Sequence, residues 1–538
     1  MSLTTQSLPE DYAALRAFAA SLQSEVEARD AELKLRDTKL QVYEQELYAK
    51  TLHIEKLKMQ LAVLRRAQFG RSSEKLDSEI EQMELLLGEL EEGQAASAAS
   101  AMPSVAPSSP PSQRERTQPV RRALPEHLPR QRVEHDAACT CPACGGTRLT
   151  RIGTDEREVL EYVPSHFKVI VHARPKMSCR DCETITQAPL PWLPIERGLP
   201  GPSLLAHVLT AKYCDHLPLH RQSVIYAREG VELERSTLAG WVGQMAALLT
   251  PLAEAIACHV REGTALHADD TPVPVLDPGR GKTKTGRLWV AVRDERPWGS
   301  AGPPAVFYRY SPDRKAEQAE ALLKDCQGYL HADGYAGFNS LYEANTITGK
   351  SQMVEVACWA HVRRKVYEVH VATSSPTARD LLERMKALFK LEADIRGRAT
   401  EERLTARIQY AVPLLRALKE AMETALARGS KKSSLSQALR YALTRWPALM
   451  RYTTDGRLDM TNNAAERAIR PIAIGRKNWT FAGSDDGGRR AAIMYTLIET
   501  AKLNAIDPEA YLRSVIARIA QHPMRKIHEL LPWNIKLC

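Results

Sequence analysis

The residues of this chain whose types and spacing could do chemistry are a few acids far apart in sequence and two pairs of cysteines. Asp269 and Asp270 interrupt an apolar run, "TALHADDTPVPVL", that otherwise reads as a buried strand. A buried carboxylate without a partner is costly, so the pair calls for a counter-charge, a metal ion or an exposed strand end. Asp333 ends a second strand-like run, "GYLHADGYAGF", in which Gly334 lets the chain turn away. Glu466 stands at the start of a helical stretch, "NNAAERAIRPIAIGRKNW", where Asn462 or Asn463 is placed to cap the helix. Hard divalent ions take oxygen ligands, and two of them about 4 Å apart stabilise the attacking and leaving oxygens of in-line phosphoryl transfer. Acids gathered from these three places would suit that chemistry.

The cysteines point to a different metal. Cys141 and Cys144 form one C-x-x-C, and Cys179 and Cys182 form another, with 34 residues of strand-like sequence between them. Four thiolates from two such knuckles match the tetrahedral zinc of a zinc ribbon. A redox dithiol needs only one pair, which favours structural Zn2+. Cys139 is an extra thiol able to replace a neighbour.

The elements that must position these groups follow from periodicity. "TALHADDTPVPVL", "RLWVAVRDE" and "PAVFYRY" read as three successive strands, residues 313 to 326 as a helix, "GYLHADGYAGF" as a fourth strand, and "MVEVACWAH" as a fifth feeding a basic helix. Strands in that order predict a mixed five-stranded sheet in which the first and fourth lie side by side. Between Asp333 and Glu466 lie 132 residues, more than one strand and one helix require, and their pattern predicts a helical insertion over about 373–455. Cys358 and His361, three apart, either support the site or touch a DNA end, or else pack and cap a helix. Arg363, Arg364 and Lys365 just beyond suit phosphate contacts. Arg470 lies one turn from Glu466, and six basic residues against two acids run from Arg467 to Arg490. With Trp479 and Phe481 interleaved, Arg470, Arg476, Lys477 and Trp479 are candidates for DNA backbone and unstacked bases.

The remaining chain predicts a multidomain α+β protein. Val26, Leu33, Leu40, Leu47, Ile54 and Leu61 repeat every seven residues, so 1–92 reads as a coiled coil that self-associates. Residues 93–130 are rich in Ala, Ser and Pro and read as a disordered linker. A zinc-ribbon, DNA-binding domain over 131–195 precedes a helical domain over 196–260. There a turn at Gly230 and a helix from Ser236 resemble a helix-turn-helix. The catalytic domain spans 261–500, and 501–538 is a helical tail. With 44% hydrophobic and 26% charged residues the 538-residue chain is ordinary for a soluble globular protein, and a net charge of +9 fits a polyanionic partner. The polar N-terminus and the lack of an apolar run near 18 residues predict a cytoplasmic protein with no membrane partner, whose clustered cysteines bind metal.

Ribonuclease H-type polynucleotidyl transferases share this strand order, with two carboxylates on neighbouring strands and a third on a later helix. Longer motifs sharpen the likeness: "FGRSSEK", the paired C-x-x-C, "KYCDHLPLHRQ", "DGYAGF", "CWAHVRRK", "NNAAERAIRPIAIGRKNW" and "LIETAKLN". Nearly end to end, the chain resembles the insertion sequence 66 family of bacterial DDE transposases. The resemblance implies a ribonuclease H-like catalytic domain with Asp269, Asp333 and Glu466 as a triad holding two Mg2+, for which Mn2+ substitutes. It also implies binding to element ends and target DNA near the nucleoid, strand cleavage followed by strand transfer, a homo-oligomer and accessory proteins of the same element. Asp270 stands where the family usually has Glu, and Thr461 where it usually has Asp before the paired asparagines. The alternative readings are a catalytically silent DNA-binding derivative and a metal-dependent nuclease that cuts without joining.

Overall fold

The computed structural model describes residues 124–538, apart from 137–139, 164–165, 196–197, 278–281, 344–350, 431 and 538, together with Gln23, Val26, Glu27, Arg29 and Asp30. The expected coiled coil, apart from those five residues, lies outside the described residues, as do most of the expected linker and Cys139.

A small sheet comes first, built from β1 (Arg130–Glu134), β2 (Leu149–Val163), β3 (His166–Cys179) and β4 (Ile185–Gln187). β2 and β3 pair antiparallel from Leu149↔Cys179 to Val163↔His166, while β1 runs parallel to β3 and β4 antiparallel to it. Alternation along β3 buries Phe167, Val169, Val171 and Ala173 on one face. The long hairpin explains the 34-residue spacing of the cysteine pairs, because its two arms return both knuckles to one end.

Three helices follow: α1 (Pro202–Tyr213), α2 (Leu219–Arg228) and α3 (Arg235–Arg261). Glu161 of β2 accepts the N–H groups of Ser203 and Leu204 at the start of α1, at 3.0 and 3.3 Å, tying the small sheet to this helix.

The large sheet comprises β5 (Ala265–Asp277), β6 (Lys282–Arg293), β7 (Ala305–Ser311), β8 (Gly328–Ala332) and β9 (Met353–Ala357), with α4 (Ala316–Leu322) and α5 (Asn339–Tyr342) between its strands. Its order is β7-β6-β5-β8-β9; β7, β6 and β5 are antiparallel, and β8 and β9 are parallel to β5. The strand bearing Asp269 thus borders the strand that leads to Asp333.

After β9 the chain forms α6 (Trp359–Thr373), α7 (Pro376–Asp394), α8 (Thr400–Ala406), α9 (Val412–Arg428), α10 (Ser434–Thr444) and α11 (Trp446–Met450). Met385, Leu388, Leu415, Leu418, Leu439 and Leu449 give these helices a second core, which Ala265 of β5 and Val356 and Ala357 of β9 join. Then come α12 (Asn463–Trp479), α13 (Asp485–Leu503) and α14 (Pro508–Ile516). α13 covers the free edge of β7: its Thr496 and Thr500 hydroxyls accept the N–H groups of Tyr308 and Val306.

Two expectations need correction. The turn at Gly230 is present with φ +81°, but the helix after it starts at Arg235 and is a core helix packed on β7 and α13. Only Thr237, Glu254 and Cys258 of its 27 residues are exposed, so it offers little face for reading DNA. The same helix carries an 18-residue window of mean hydropathy 1.3, long and apolar enough to cross a bilayer, where no such run was expected. Its apolar side chains, among them Leu238, Val242, Met245, Leu249 and Leu252, are buried inside the protein.

Candidate functional site

The two adjacent acids of β5 meet different surroundings because neighbouring residues in a strand face opposite sides. The Asp270 carboxylate has 1% of its surface exposed, and both its oxygens are taken. Arg287 of β6 donates to Oδ2 at 3.0 Å, and Arg314 donates to Oδ1 through Nη2 at 2.7 Å and Nε at 3.0 Å. Arg314 is held in turn over the Tyr335 ring at 3.8 Å. Asp270 is therefore an ion-paired structural acid.

Asp269 has no such relief. Its Oδ1 accepts the Asp270 N–H at 2.8 Å, and among the described residues no cation pairs with it. Burial, then the charge of Asp333, with Asp270 and Glu466 adding to it, pushes the Asp269 carboxyl up to about 7. The parallel register pairs Leu266 with Leu330 and His267 with His331, and two more residues along each strand bring Asp269 alongside Asp333. Asp333 follows the end of β8; its Oδ1 accepts the Tyr335 N–H at 3.0 Å, and Gly334 turns the chain away with φ +82°. The helical insertion grips this turn, since Tyr441 donates to the Asp333 carbonyl at 2.8 Å and Arg445 to the Gly334 carbonyl at 3.3 Å.

Glu466 projects from the first turn of α12 towards α6. Its Oε1 is 3.6 Å from His361 Nε2 and its Oε2 is 3.3 Å from Arg364 Nη2. Cys358, His361 and Glu466 bring a sulfur, a nitrogen and an oxygen within 4.8 Å of one another. Asn462 occupies the N-cap position of α12 without capping it. Its side chain instead donates to the Ala268 carbonyl at 2.9 Å and meets His267 Nδ1 at 3.3 Å, while its backbone N–H donates to Cys358 Sγ at 3.2 Å. Asn462 thus bolts α12 and α6 to the strand carrying Asp269. Asn463 is exposed at the start of the helix.

Beneath the acids lies a buried polar layer for which sequence reasoning named no role. His331 Nδ1 donates to the Leu266 carbonyl at 3.0 Å, and its Nε2 accepts the Asp459 N–H at 3.0 Å, which fixes the neutral tautomer. Asp459 also accepts from Arg403 at 3.0 Å, and that guanidinium holds its carboxyl low despite burial. Arg407, fully buried, binds both oxygens of Glu392 at 2.8 and 2.7 Å. A signal for this layer was present: Leu-His-Ala-Asp occurs twice, at 266–269 and 330–333, and the two copies pair in register.

The four cysteines of the small sheet converge. Cys141 and Cys182 are 3.4 Å apart at sulfur, Cys144 and Cys179 are 3.7 Å apart, and all four sulfurs lie within 4.8 Å. Zinc–sulfur bonds of about 2.3 Å need tetrahedron edges of roughly 3.8 Å, so the donor set fits a structural zinc ion. Gly145, with φ +71°, lets the first knuckle close, its N–H donating to the Cys141 carbonyl at 2.8 Å. The Thr184 hydroxyl and N–H hold the Cys182 thiol down to about 6, predisposed to the thiolate that zinc takes.

The basic residues divide. Arg363, Arg364 and Lys365 are exposed on α6, where Arg363, Arg364, Tyr367, Phe389 and Asn463 line an open cleft. Lys365 lies over the Tyr441 ring at 4.7 Å. Arg470 and Lys477 are exposed on α12. Arg476, half-buried, donates to the Pro272 carbonyl of β5, and Trp479 packs partly buried against the core. Both therefore help hold α12 in place. Arg489 pairs with Asp486 and Arg490 is buried, which shortens the expected basic surface.

Residues 197–490 match a model of the Transposase IS66 family. Residues 138–183 match the zinc-finger binding domain of transposase IS66, 496–533 the IS66 C-terminal element, and 56–133 a model described as Transposase C of IS166 homeodomain. The chain is 41% identical over 498 residues to Uncharacterized protein y4hP of Sinorhizobium fredii, covering 89% of this chain and 88% of that one. It is 38% identical over 541 residues to Uncharacterized protein y4qI of the same organism, covering 100% and 99%. With one family model spanning more than half its length and relatives this similar over nearly all of theirs, the chain belongs to the IS66 family of transposases.

Proposed function

We propose that the protein binds the ends of an insertion sequence and catalyses divalent-metal-dependent DNA strand cleavage and strand transfer, on a catalytic domain of the ribonuclease H type. The observation that carries this reading is Asp269: largely buried, without a counter-cation among the described residues and beside Asp333, while its neighbour Asp270 is neutralised by two arginines. The sheet order β7-β6-β5-β8-β9 supports the fold assignment.

Asp269, Asp333 and Glu466 offer only oxygen donors, which suits Mg2+ or Mn2+. Two such ions, when bound, supply charge neutralisation at the attacking and leaving oxygens. Asp269 and Asp333 come from adjacent strands and Glu466 from α12, and Asn462 sets the distance between those elements. Arg363, Arg364 and Lys365 hold the DNA backbone at the mouth of the site. Water attacks a phosphodiester at the element end and releases a 3′-hydroxyl, which then attacks a target phosphodiester; no residue forms a covalent bond to DNA. The N-terminal heptads pair two chains and so two element ends, and deletion of 1–92 should lower the mass measured by light scattering.

The test is cleavage and joining of labelled DNA carrying the element's own ends, with Mg2+ or Mn2+. Asp269→Asn, Asp333→Asn and Glu466→Gln should each abolish both while leaving gel-shift binding intact. Cleavage that survives all three would refute the site. Cutting without joining would point to a nuclease, and binding without cutting by the unaltered protein to a silent derivative.

A further inference from the structure

We infer that Cys358, His361 and Glu466 form a second thiolate-containing metal site, of the zinc class, at the junction of α6 and α12. It is distinct from the four-cysteine cluster of the small sheet, and it shares Glu466 with the proposed all-oxygen magnesium site.

The three donors come from two helix starts. Cys358 occupies the N-cap of α6 and His361 the third residue of that helix, positions whose side chains meet across the first turn. Glu466 enters from the first turn of α12. One sulfur, one nitrogen and one oxygen lie within 4.8 Å, the same span as the four sulfurs of the small sheet.

Two of the groups are left unsatisfied by the protein alone. Glu466 Oε1 is buried without a hydrogen-bond partner among the described residues, and so is His361 Nδ1. The 3.6 Å from His361 Nε2 to Glu466 Oε1 is too long for the hydrogen bond that would pair them. An ion between the sulfur, the imidazole and Oε1 would make bonds of about 2.0 to 2.3 Å to each. Cys358 Sγ accepts the Asn462 N–H at 3.2 Å, which holds the sulfur at this junction.

The donor set selects the ion. A soft thiolate beside an imidazole prefers zinc to magnesium, and three protein ligands leave a fourth position open to water or a phosphate oxygen. An ion bound here would tie Glu466 to α6 through Oε1. The site does not depend on the phosphoryl-transfer reading, because its readout is metal content.

The test measures zinc per chain in the full-length protein after loading with zinc and exhaustive dialysis against buffer containing excess Mg2+. The unaltered protein should retain about two zinc ions per chain, and Cys358→Ser and His361→Gln about one each, with an unchanged circular dichroism spectrum. A cobalt-loaded sample should show a sulfur-to-cobalt band that Cys358→Ser reduces and Cys182→Ser leaves in part. If the unaltered protein and both variants hold equal zinc, the site does not exist. His361→Gln guards against a Cys358 variant that fails to fold, since His361 is half-exposed. Loss of DNA cleavage with zinc content intact would count against the catalytic reading alone.

Discussion

His267 and His331 stack face to face, 4.2 Å between ring centroids and 15° between planes, each two residues before Asp269 or Asp333 on adjacent strands. The pair forms a floor under the candidate acids, and burial keeps both rings neutral. For His331 burial, then the neighbouring His267, pushes the pKa down to about 3. Above that layer sit carboxylates whose usefulness depends on the spacing of the two strands.

That floor makes the fold sensitive to acid. An unfolded histidine takes a proton below about 6.5, whereas His331 takes one only near 3, so its contribution to stability is complete above 6.5 and is lost as pH falls through that window. At about 1.4 kcal/mol per unit the full loss is a few kcal/mol. Thermal melts of the unaltered protein between pH 7 and pH 4 should fall more steeply than those of His331→Gln. Parallel curves would remove the histidine from the explanation.

Asp269 acts with the opposite sign. Its folded pKa of about 7 lies above its unfolded value, so without metal the ionised carboxylate destabilises the fold progressively as pH rises from about 4 to 7. Asp269→Asn should therefore raise the melting temperature of metal-free protein at pH 8, and it should lose the stabilisation by Mg2+ that the unaltered protein gains. Mg2+ affinity should climb with pH up to about 7 and then level off, because the proton on Asp269 competes with the ion. Calorimetric titrations at pH 6 and pH 8 that give equal affinities would contradict this.

Asp270 should behave as a structural residue. Asp270→Ala strands Arg287 and Arg314 around an uncompensated site and should cost roughly 2–3 kcal/mol, less than a wholly buried pair because Arg314 reaches solvent. Asp270→Glu should keep the pairing and the activity. Denaturant unfolding distinguishes this from Asp269→Asn, whose defect should lie in metal binding.

Asn462→Ala keeps the backbone N–H to Cys358 but should leave the Ala268 carbonyl and His267 Nδ1 without their partner, with a loss of about 1–3 kcal/mol from unsatisfied buried groups. The expected signature is slower cleavage with unchanged gel-shift binding. Asn462→Asp, which keeps an acceptor for His267 but loses the donor to Ala268, should recover little. Full activity in both variants would show that the strand and α12 are spaced by packing alone.

Much of this arrangement was written in local pattern. Alternation and apolar runs set out the strands, helical periodicity set out the insertion, and the C-x-x-C pairs announced a thiolate site, since each depends on residues close in the chain. What separates Asp269 from Asp270 was not legible there. Both are aspartates in one strand, and their difference comes from Arg287 on β6 and Arg314 beyond β7. Asn462 is 194 residues from the carbonyl it holds, and His331 is 128 residues from the N–H it accepts.

Side-chain identity and spacing by themselves determined which groups were available: carboxylates in two strands and a helix, four thiols in two knuckles, arginines on α6 and α12. Tertiary structure decided how each is used. It tied Arg476 to β5, packed Trp479 against the core, buried Arg490, made α3 a core helix, and neutralised one acid of the pair while leaving the other without a cation among the described residues. The reason is physical: burial and charge partners, which set what a polar group does, are fixed only when distant segments meet.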